Sequence, residues 1–247
     1  MARPEQIVCG QHAVTAALQH RCRDVRRLYF APQHLASLKP VLRELAARRA
    51  IYRELPDAEL ERVSGQRAHQ GLVAVLDAPE TETVRLDDLH DWAETPGVVL
   101  ALDGVGNPHN LGAIARTAAF LGVRALLLSA QGVACVRSTA AYRTSEGGLE
   151  VLPAYRSEHL AGDIRIFRQA GGRVCALAVG GTQKLSDLAG LGRKGPGVLL
   201  VAGSEEDGMT AEVAKACGNA LRIDGSGAVE SLNVGVAVGM ALSWLLN

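Results

Sequence analysis

Two textures of apolar residue divide this chain. From residue 98 onward, short unbroken apolar runs recur at 98–102, 125–128, 174–179, 198–201 and 220–223, with helical stretches between them. Such runs suit strands buried on both faces, so residues 98–247 read as an open α/β fold with a parallel sheet. The last stretch, 232–246, is apolar on every helical face, and Gly235, Ala237 and Gly239 are small enough for close packing against another segment or a second copy. Earlier in the chain the pattern is mixed. It predicts a helix from about Gln11, a strand at 25–30, a helix over 35–49 carried by Leu38, Val41, Leu42 and Leu45, and a strand at 71–76. Pro40 is expected to bend that second helix or delay its start. Residues 1–77 therefore form a small α/β unit. Residues 78–97 are polar and acidic, carry Pro79 and Pro96, lack a sustained apolar period, and read as a linker.

A length of 247 residues accommodates these two domains. Net charge is zero, but residues 1–78 hold 12 Lys and Arg against 8 Asp and Glu, leaving 14 against 18 for the rest. The balance excludes a protein that coats nucleic acid indiscriminately, because non-specific affinity comes from neutralising phosphates. It leaves room for a selective RNA enzyme. Within the basic part, Arg62, Arg67 and His69 lie in a polar segment that either faces a phosphate backbone or is a solvated loop. Five cysteines, Cys9, Cys22, Cys135, Cys175 and Cys217, are widely spaced without a metal-ligand pattern, and read as reduced core thiols. The apolar stretch 232–246 is shorter than the roughly 20 residues a bilayer needs, and the start of the chain lacks a signal-peptide pattern. The expectation is a cytoplasmic protein without membrane or metal.

Ligands of open α/β folds collect at the carboxyl ends of strands, and three motifs fall there. The first, residues 102–117, is a strand end, a Gly-Val-Gly-Asn-Pro-His-Asn turn and a helix start. Asn110 is well typed as the helix N-cap. Leu111, Ile114, Ala115 and Ala118 make a core stripe, and Arg116 is the only charge between Asp103 and Arg124. A buried arginine there needs an anion, either a structural carboxylate or a substrate phosphate. The turn does not complete GxGxxG, and the run 125–128 ends in Ser129 rather than an acid, which disfavours a dinucleotide site. The second motif runs from the strand at 198–201 through Gly203 to Glu205, Glu206, Asp207 and Gly208. Gly203 permits close approach of a ligand to the backbone, and three acids exclude a phosphate cradle. Glu206 and Asp207 fit a helix start, Glu205 less so. The third motif is a Gly-rich loop leading into the final helix, with Ser231 as a candidate N-cap and Asn233 inside the first turn.

Together, Asn110-Leu-Gly-Ala-Ile-Ala-Arg116, Gly203-Ser-Glu205 with Gly208, and Ser231-Leu-Asn-Val234 resemble the motifs of the SpoU/TrmH (SPOUT) family of RNA ribose methyltransferases. Arg143-Thr-Ser-Glu-Gly-Gly148 is similar to the family's small-residue helix, with Glu146 standing where a small residue is usual. Gly10-Gln-His-Ala-Val14 and His69-Gln-Gly71 resemble its L30e-like substrate-binding domain. The resemblance implies a trefoil-knotted methyltransferase domain over 98–247, preceded by an L30e-like domain over 1–77, acting as a homodimer with S-adenosyl-L-methionine held bent in the knot. It places cofactor contacts at Ala178, Gly203, Ile223 and Leu232. It assigns catalysis to Arg116, Asn110, Glu205, Ser231 and Asn233. A guanidinium with a pKa above about 12 is a poor base, so Arg116 is expected to orient phosphate and stabilise the forming alkoxide. Asn110 and Asn233 would hold the ribose or Arg116, Glu205 would anchor Arg116 or its loop, and Ser231 would shape the methyl pocket. The implied reaction is 2′-O-methylation of RNA, with a guanosine of 23S rRNA as the expected target. A tRNA target, or a non-catalytic RNA-binding or ribosome-assembly factor on the same scaffold, are the alternatives.

Overall fold

A computed structural model of the protein describes residues 3–247. The first unit comprises β1 (Glu5–Cys9), α1 (Gln11–Arg21), β2 (Val25–Phe30), α2 (Leu35–Ala47), β3 (Ile51–Glu54), α3 (Asp57–Ser64) and β4 (Leu72–Asp77). Its four-stranded sheet has the order β1-β4-β2-β3, with β4 antiparallel to both neighbours and β3 parallel to β2. Apolar periodicity anticipated α1, β2, α2 and β4. Pro40 sits inside α2 without delaying it, since the helix begins at Leu35. β3 was not anticipated, because all four of its residues are exposed and carry no apolar period.

The remainder comprises β5 (Glu82–Thr83), α4 (Leu86–Glu94), β6 (Val98–Asp103), α5 (Pro108–Leu121), β7 (Ala125–Leu128), α6 (Ala130–Val136), α7 (Thr139–Ser145) and α8 (Gly148–Val151). There follow β8 (Ala154–Arg156), α9 (Leu160–Gln169), β9 (Arg173–Leu177), β10 (Gln183–Lys184), β11 (Val198–Gly203), α10 (Ala211–Cys217), β12 (Ala220–Arg222) and α11 (Val234–Leu246). The strands form one sheet in the order β10-β12-β9-β11-β6-β7-β8-β5, parallel throughout. Alternate residues of each strand feed opposite helix layers, which is why its runs are apolar at every position. Val98, Leu100 and Leu102 face α5 and α11, whereas Val99 and Ala101 join Leu89, Trp92, Ile164, Phe167 and Val213 of α4, α9 and α10. The stretch 78–97, expected as a linker, thus supplies an edge strand and a packed helix. Leu89, Trp92 and Ala93 suffice to bury one side of α4 while its acids face water.

The two sheets' units meet along α1, α7 and α8. A Cβ on Gly147 would lie 2.7 Å from the Cβ of Ala16, so the 146–148 turn lies directly against α1. Beneath this contact Arg21 Nη1 pairs with the fully buried Glu150 at 3.2 Å and also donates to Gln6 Oε1. Burial pushes the Glu150 carboxyl up, and Arg21 opposes that shift.

Candidate active site

Three loops converge at the carboxyl ends of β6 and β11, which are adjacent and in register from Val98 opposite Val198 to Asp103 opposite Gly203. After β6 the chain turns through Gly104 and starts α5 with Pro108, whose fixed φ suits a first helical residue. Asn107, not Asn110, is the N-cap: its Oδ1 accepts from the backbone N–H of His109 at 2.9 Å and of Asn110 at 3.3 Å. This corrects the capping reading of Asn110 and frees its side chain for another partner. Asp103, which the sequence did not single out, is buried and accepts from the backbone and hydroxyl of Thr210 at 2.7 and 2.9 Å. That bond pins the start of α10 to the end of β6.

Beyond β11 the chain folds back at once. Ser204 and Gly208 exchange two backbone hydrogen bonds at 3.1 Å, and a Cβ on Gly203 would lie 2.1 Å from the carbonyl carbon of Gly208. The space left by the missing side chain of Gly203 is thus taken by the chain's own loop. The hairpin presents Glu205 to the other two loops. Asn110 Nδ2 donates to Glu205 Oε2 at 2.7 Å, Asn233 Nδ2 donates to Asn110 Oδ1 at 3.0 Å and to Glu205 Oε1, and the Val234 N–H reaches Oε1 at 3.2 Å. Asn233 is also the N-cap of α11, through Oδ1 accepting from Gly235 and Val236. The cap was expected at Ser231, which is exposed and makes no side-chain hydrogen bond among the described residues. Asn110, Glu205 and Asn233 thus close a polar triangle, and Asn110 and Glu205 line a cavity of about 330 Å³ together with Gly104, Asn107 and Ser204.

Arg116 is elsewhere. It follows Asn110 by six residues, which on a helix is about 9 Å along the axis and roughly 240° around it. Its side chain is 58% exposed, so the expected burial is corrected, and its anionic partner is a structural carboxylate, Glu146 Oε2, at 2.9 Å. Glu205 accordingly anchors the two asparagines and not Arg116. The helix is seated by missing side chains: a Cβ on Gly112 would meet the carbonyl of Ala141 at 2.6 Å, and one on Gly148 that of Ala115 at 2.9 Å. In the first unit, His69 is buried and accepts from the Gly71 N–H at 3.0 Å, so it is a turn anchor rather than a phosphate ligand. Burial pushes the thiols of Cys9, Cys175 and Cys217 up to about 11, which excludes them as nucleophiles.

The residues expected to contact a cofactor follow β9, β11 and β12, parallel strands on one side of the sheet. Ala178 donates its N–H to the Leu221 carbonyl at 3.0 Å, Gly203 ends β11, and Ile223 follows β12. Val179, Val229 and Leu232 stand exposed in the loops after β9 and β12. Apolar side chains left open beside backbone edges form a surface against which a flat organic ligand can pack. No group of three or more potential metal ligands occurs among the described residues.

A parallel α/β sheet with a polar triangle at its strand ends and an open apolar surface alongside defines an α/β protein whose ligand site lies at the carboxyl ends of its strands. Residues 97–243 match the SpoU rRNA Methylase family and residues 7–82 match the RNA 2′-O ribose methyltransferase substrate binding domain, and the chain belongs to the SpoU rRNA methylase family. It is 35% identical over 240 residues, 96% of this chain and 93% of the relative, to a 23S rRNA (guanosine-2′-O-)-methyltransferase RlmB of Ralstonia nicotianae. It is 32% identical over 96% of its length to the uncharacterized tRNA/rRNA methyltransferase YfiF of Escherichia coli O157:H7, of which it covers 67%. Among solved structures, a TrmH-family RNA methyltransferase of Porphyromonas gingivalis is 31% identical with a TM-score of 0.74, covering 98% of this chain and 89% of that one. The SpoU methyltransferase AviRb of Streptomyces viridochromogenes in complex with AdoMet is 25% identical with a TM-score of 0.73, again over 98% and 89%. The chain is an S-adenosylmethionine-dependent RNA ribose 2′-O-methyltransferase. The exposed apolar loops after β9 and β12 fit that cofactor. No helix of the described residues is long and apolar enough to cross a membrane.

Proposed function

We propose that this enzyme methylates the 2′-hydroxyl of a guanosine in 23S rRNA, as a cytoplasmic homodimer. The observation that carries the reading is the Asn110-Glu205-Asn233 triangle, which ties the three motif loops into one rigid rim at the strand ends. Full-length similarity to an enzyme named for that reaction supports the target.

The cofactor supplies an electrophilic methyl group. The chain's task is to hold the ribose in line with it, and positioning of this kind contributes about 7 to 11 kcal/mol in ideal intramolecular cases. Ala178, Gly203, Ile223 and Leu232 hold the cofactor through backbone edges and the apolar loops, and Ser231 shapes the pocket on the same loop. Asn110 and Asn233, locked by Glu205, present their remaining hydrogen-bonding capacity to the ribose. Arg116 binds the adjacent phosphate and stabilises the forming alkoxide. Residues 1–77 bind RNA, residues 98–247 carry the reaction, and 78–97 join them while docked on the larger sheet.

Because Arg116 leaves α5 on a different face from Asn110, one chain does not bring the two together. A second copy completes the site. The face available for it is apolar: Val236, Met240 and Trp244 form an exposed stripe on α11, and Phe120 on α5 is 89% exposed. Gly235 faces Ala113 and Ile114 and Gly239 faces Thr117, so α5 and α11 run side by side in the same direction. The end of α11 is clasped by residues 190–193, through Gly190 N–H to Trp244 O at 3.0 Å and Gly192 N–H to Leu245 O at 2.9 Å, a contact that supports the trefoil knot.

The test is transfer of labelled methyl from S-adenosylmethionine to protein-free 23S rRNA and to tRNA, followed by mapping of 2′-O-methyl positions. One labelled guanosine in 23S rRNA is expected, and a 2′-deoxy substitution there should abolish transfer. Label in tRNA alone would move the target, and RNA binding without transfer would make the chain an adaptor.

A further inference from the structure

Glu146 has an unusual place. It caps the carboxyl end of α7 at φ 46, the left-handed region, where glycine or asparagine costs the backbone less. Its carboxylate oxygen Oε2 meets Arg116 Nη2 at 2.9 Å and also lies 3.5 Å from His12 Nδ1 on α1. All three side chains are open to solvent, at 37% for Glu146, 58% for Arg116 and 68% for His12. An ion pair that exposed returns about as little as the left-handed glutamate costs, so the arrangement is not explained by stability. Arg143, one turn earlier on α7, lies against Gly10, two residues before His12. Its Nε is buried without a partner, and it forms no ion pair among the described residues. Arg116 and His12, at the start of α1, therefore share one carboxylate where the two sheets' units meet, with Arg143 close by on the same turn.

We propose that Glu146 is a displaceable stand-in for an RNA phosphate: in the free protein it holds Arg116, and RNA lying across the 143–148 turn and the start of α1 releases the guanidinium by substituting a backbone phosphate. This rests on the proposed role of Arg116 and adds to it a positioning residue and a path for the RNA. A phosphodiester presents the same oxygen-anion geometry as the carboxylate and is accepted by Arg in the same forked manner. Arg143, which lacks an acid, is the second contact on that path, its guanidinium turning outward to meet the phosphate. The coupling to His12 makes release of Arg116 depend on RNA reaching both units.

Binding is measured by filter retention of labelled protein-free 23S rRNA in the presence of S-adenosylhomocysteine, alongside methyl transfer by the wild-type chain. Glu146→Gln should bind about fivefold tighter than wild type, the scale of an exposed ion pair relieved. The gain should vanish in Glu146→Gln with Arg116→Ala, because the two act through one contact. Arg143→Ala should weaken binding and reduce the slope of log affinity against log salt by about one. In steady state, Glu146→Gln should lower KM for RNA more than it changes kcat. Unchanged or weaker binding by a Glu146→Gln variant with wild-type Tm overturns the proposal, as does a gain that persists without Arg116. If the wild type transfers methyl to RNA while Glu146→Gln shows no gain, only the stand-in role falls; if the wild type neither binds nor modifies RNA, the functional reading falls with it.

Discussion

Glu205 engages both carboxylate oxygens with N–H donors from the two other motif loops, and it is the charged corner of the triangle. Glutamine at this position keeps the size but turns one acceptor into a donor facing donors, losing charged hydrogen bonds worth about 1.5 to 3 kcal/mol each. Glu205→Gln should therefore lower Tm by several degrees and cut turnover by about 10²-fold, read by calorimetry and labelled-methyl transfer. Equality with wild type in both would remove the anchoring role. Arg116→Ala should keep S-adenosylhomocysteine binding and lose transfer by about 10² to 10³, the scale of one lost donor to a developing oxyanion. Tight binding with near-normal turnover would take Arg116 out of the mechanism. Residue types at these positions were legible in the chain; their partners were not. Asn107 takes the capping role expected of Asn110 and Asn233 the one expected of Ser231, because a cap is set by where the helix starts, and only Pro108 marked that in advance.

At the scale of elements, the sheet's strands declared themselves by continuous apolar runs, and the helices between them by period. Of the strands of two or three residues, β12 lay within an apolar run, whereas β5, β8 and β10 were silent, since pairing with a neighbour and not sequence makes them strands. α4 was silent for a different reason: three buried side chains among acids are too few to register as a period. The β11 hairpin shows what spacing alone does not convey. Gly203→Ala would drive a Cβ into the backbone of Gly208 and Met209, where neither neighbour is a side chain that can swing away. The variant should lose about 1 to 3 kcal/mol, typical of overpacking, and with it the placement of Glu205. Chemical denaturation reads the first effect and transfer the second. Wild-type stability would mean that the hairpin relaxes freely.

The whole molecule leaves a stripe of Val236, Met240 and Trp244 on α11 in water, and Phe120 of α5 as well. A charge placed there should prevent a second copy from docking without touching the core. Trp244→Glu is expected to sediment as a monomer and to lose transfer by more than tenfold while still binding S-adenosylhomocysteine, since the cofactor loops lie elsewhere. A dimeric, active Trp244→Glu would place the partner on another face.

Across these scales, the amino-acid sequence by itself determined the elements long enough to show a period, the parallel sheet, the residue types at the strand ends and, through three motifs, the chemistry they serve. Those properties are local: they depend on side chains within one run or one turn. Tertiary structure alone decided that Glu205 binds asparagines and not Arg116, that Gly203 yields space to its own loop, and that Arg116 is held by Glu146. Glu205 reaches partners 28 and 95 residues away and Arg116 one 30 residues away, and distance through space is set by packing rather than by order along the chain.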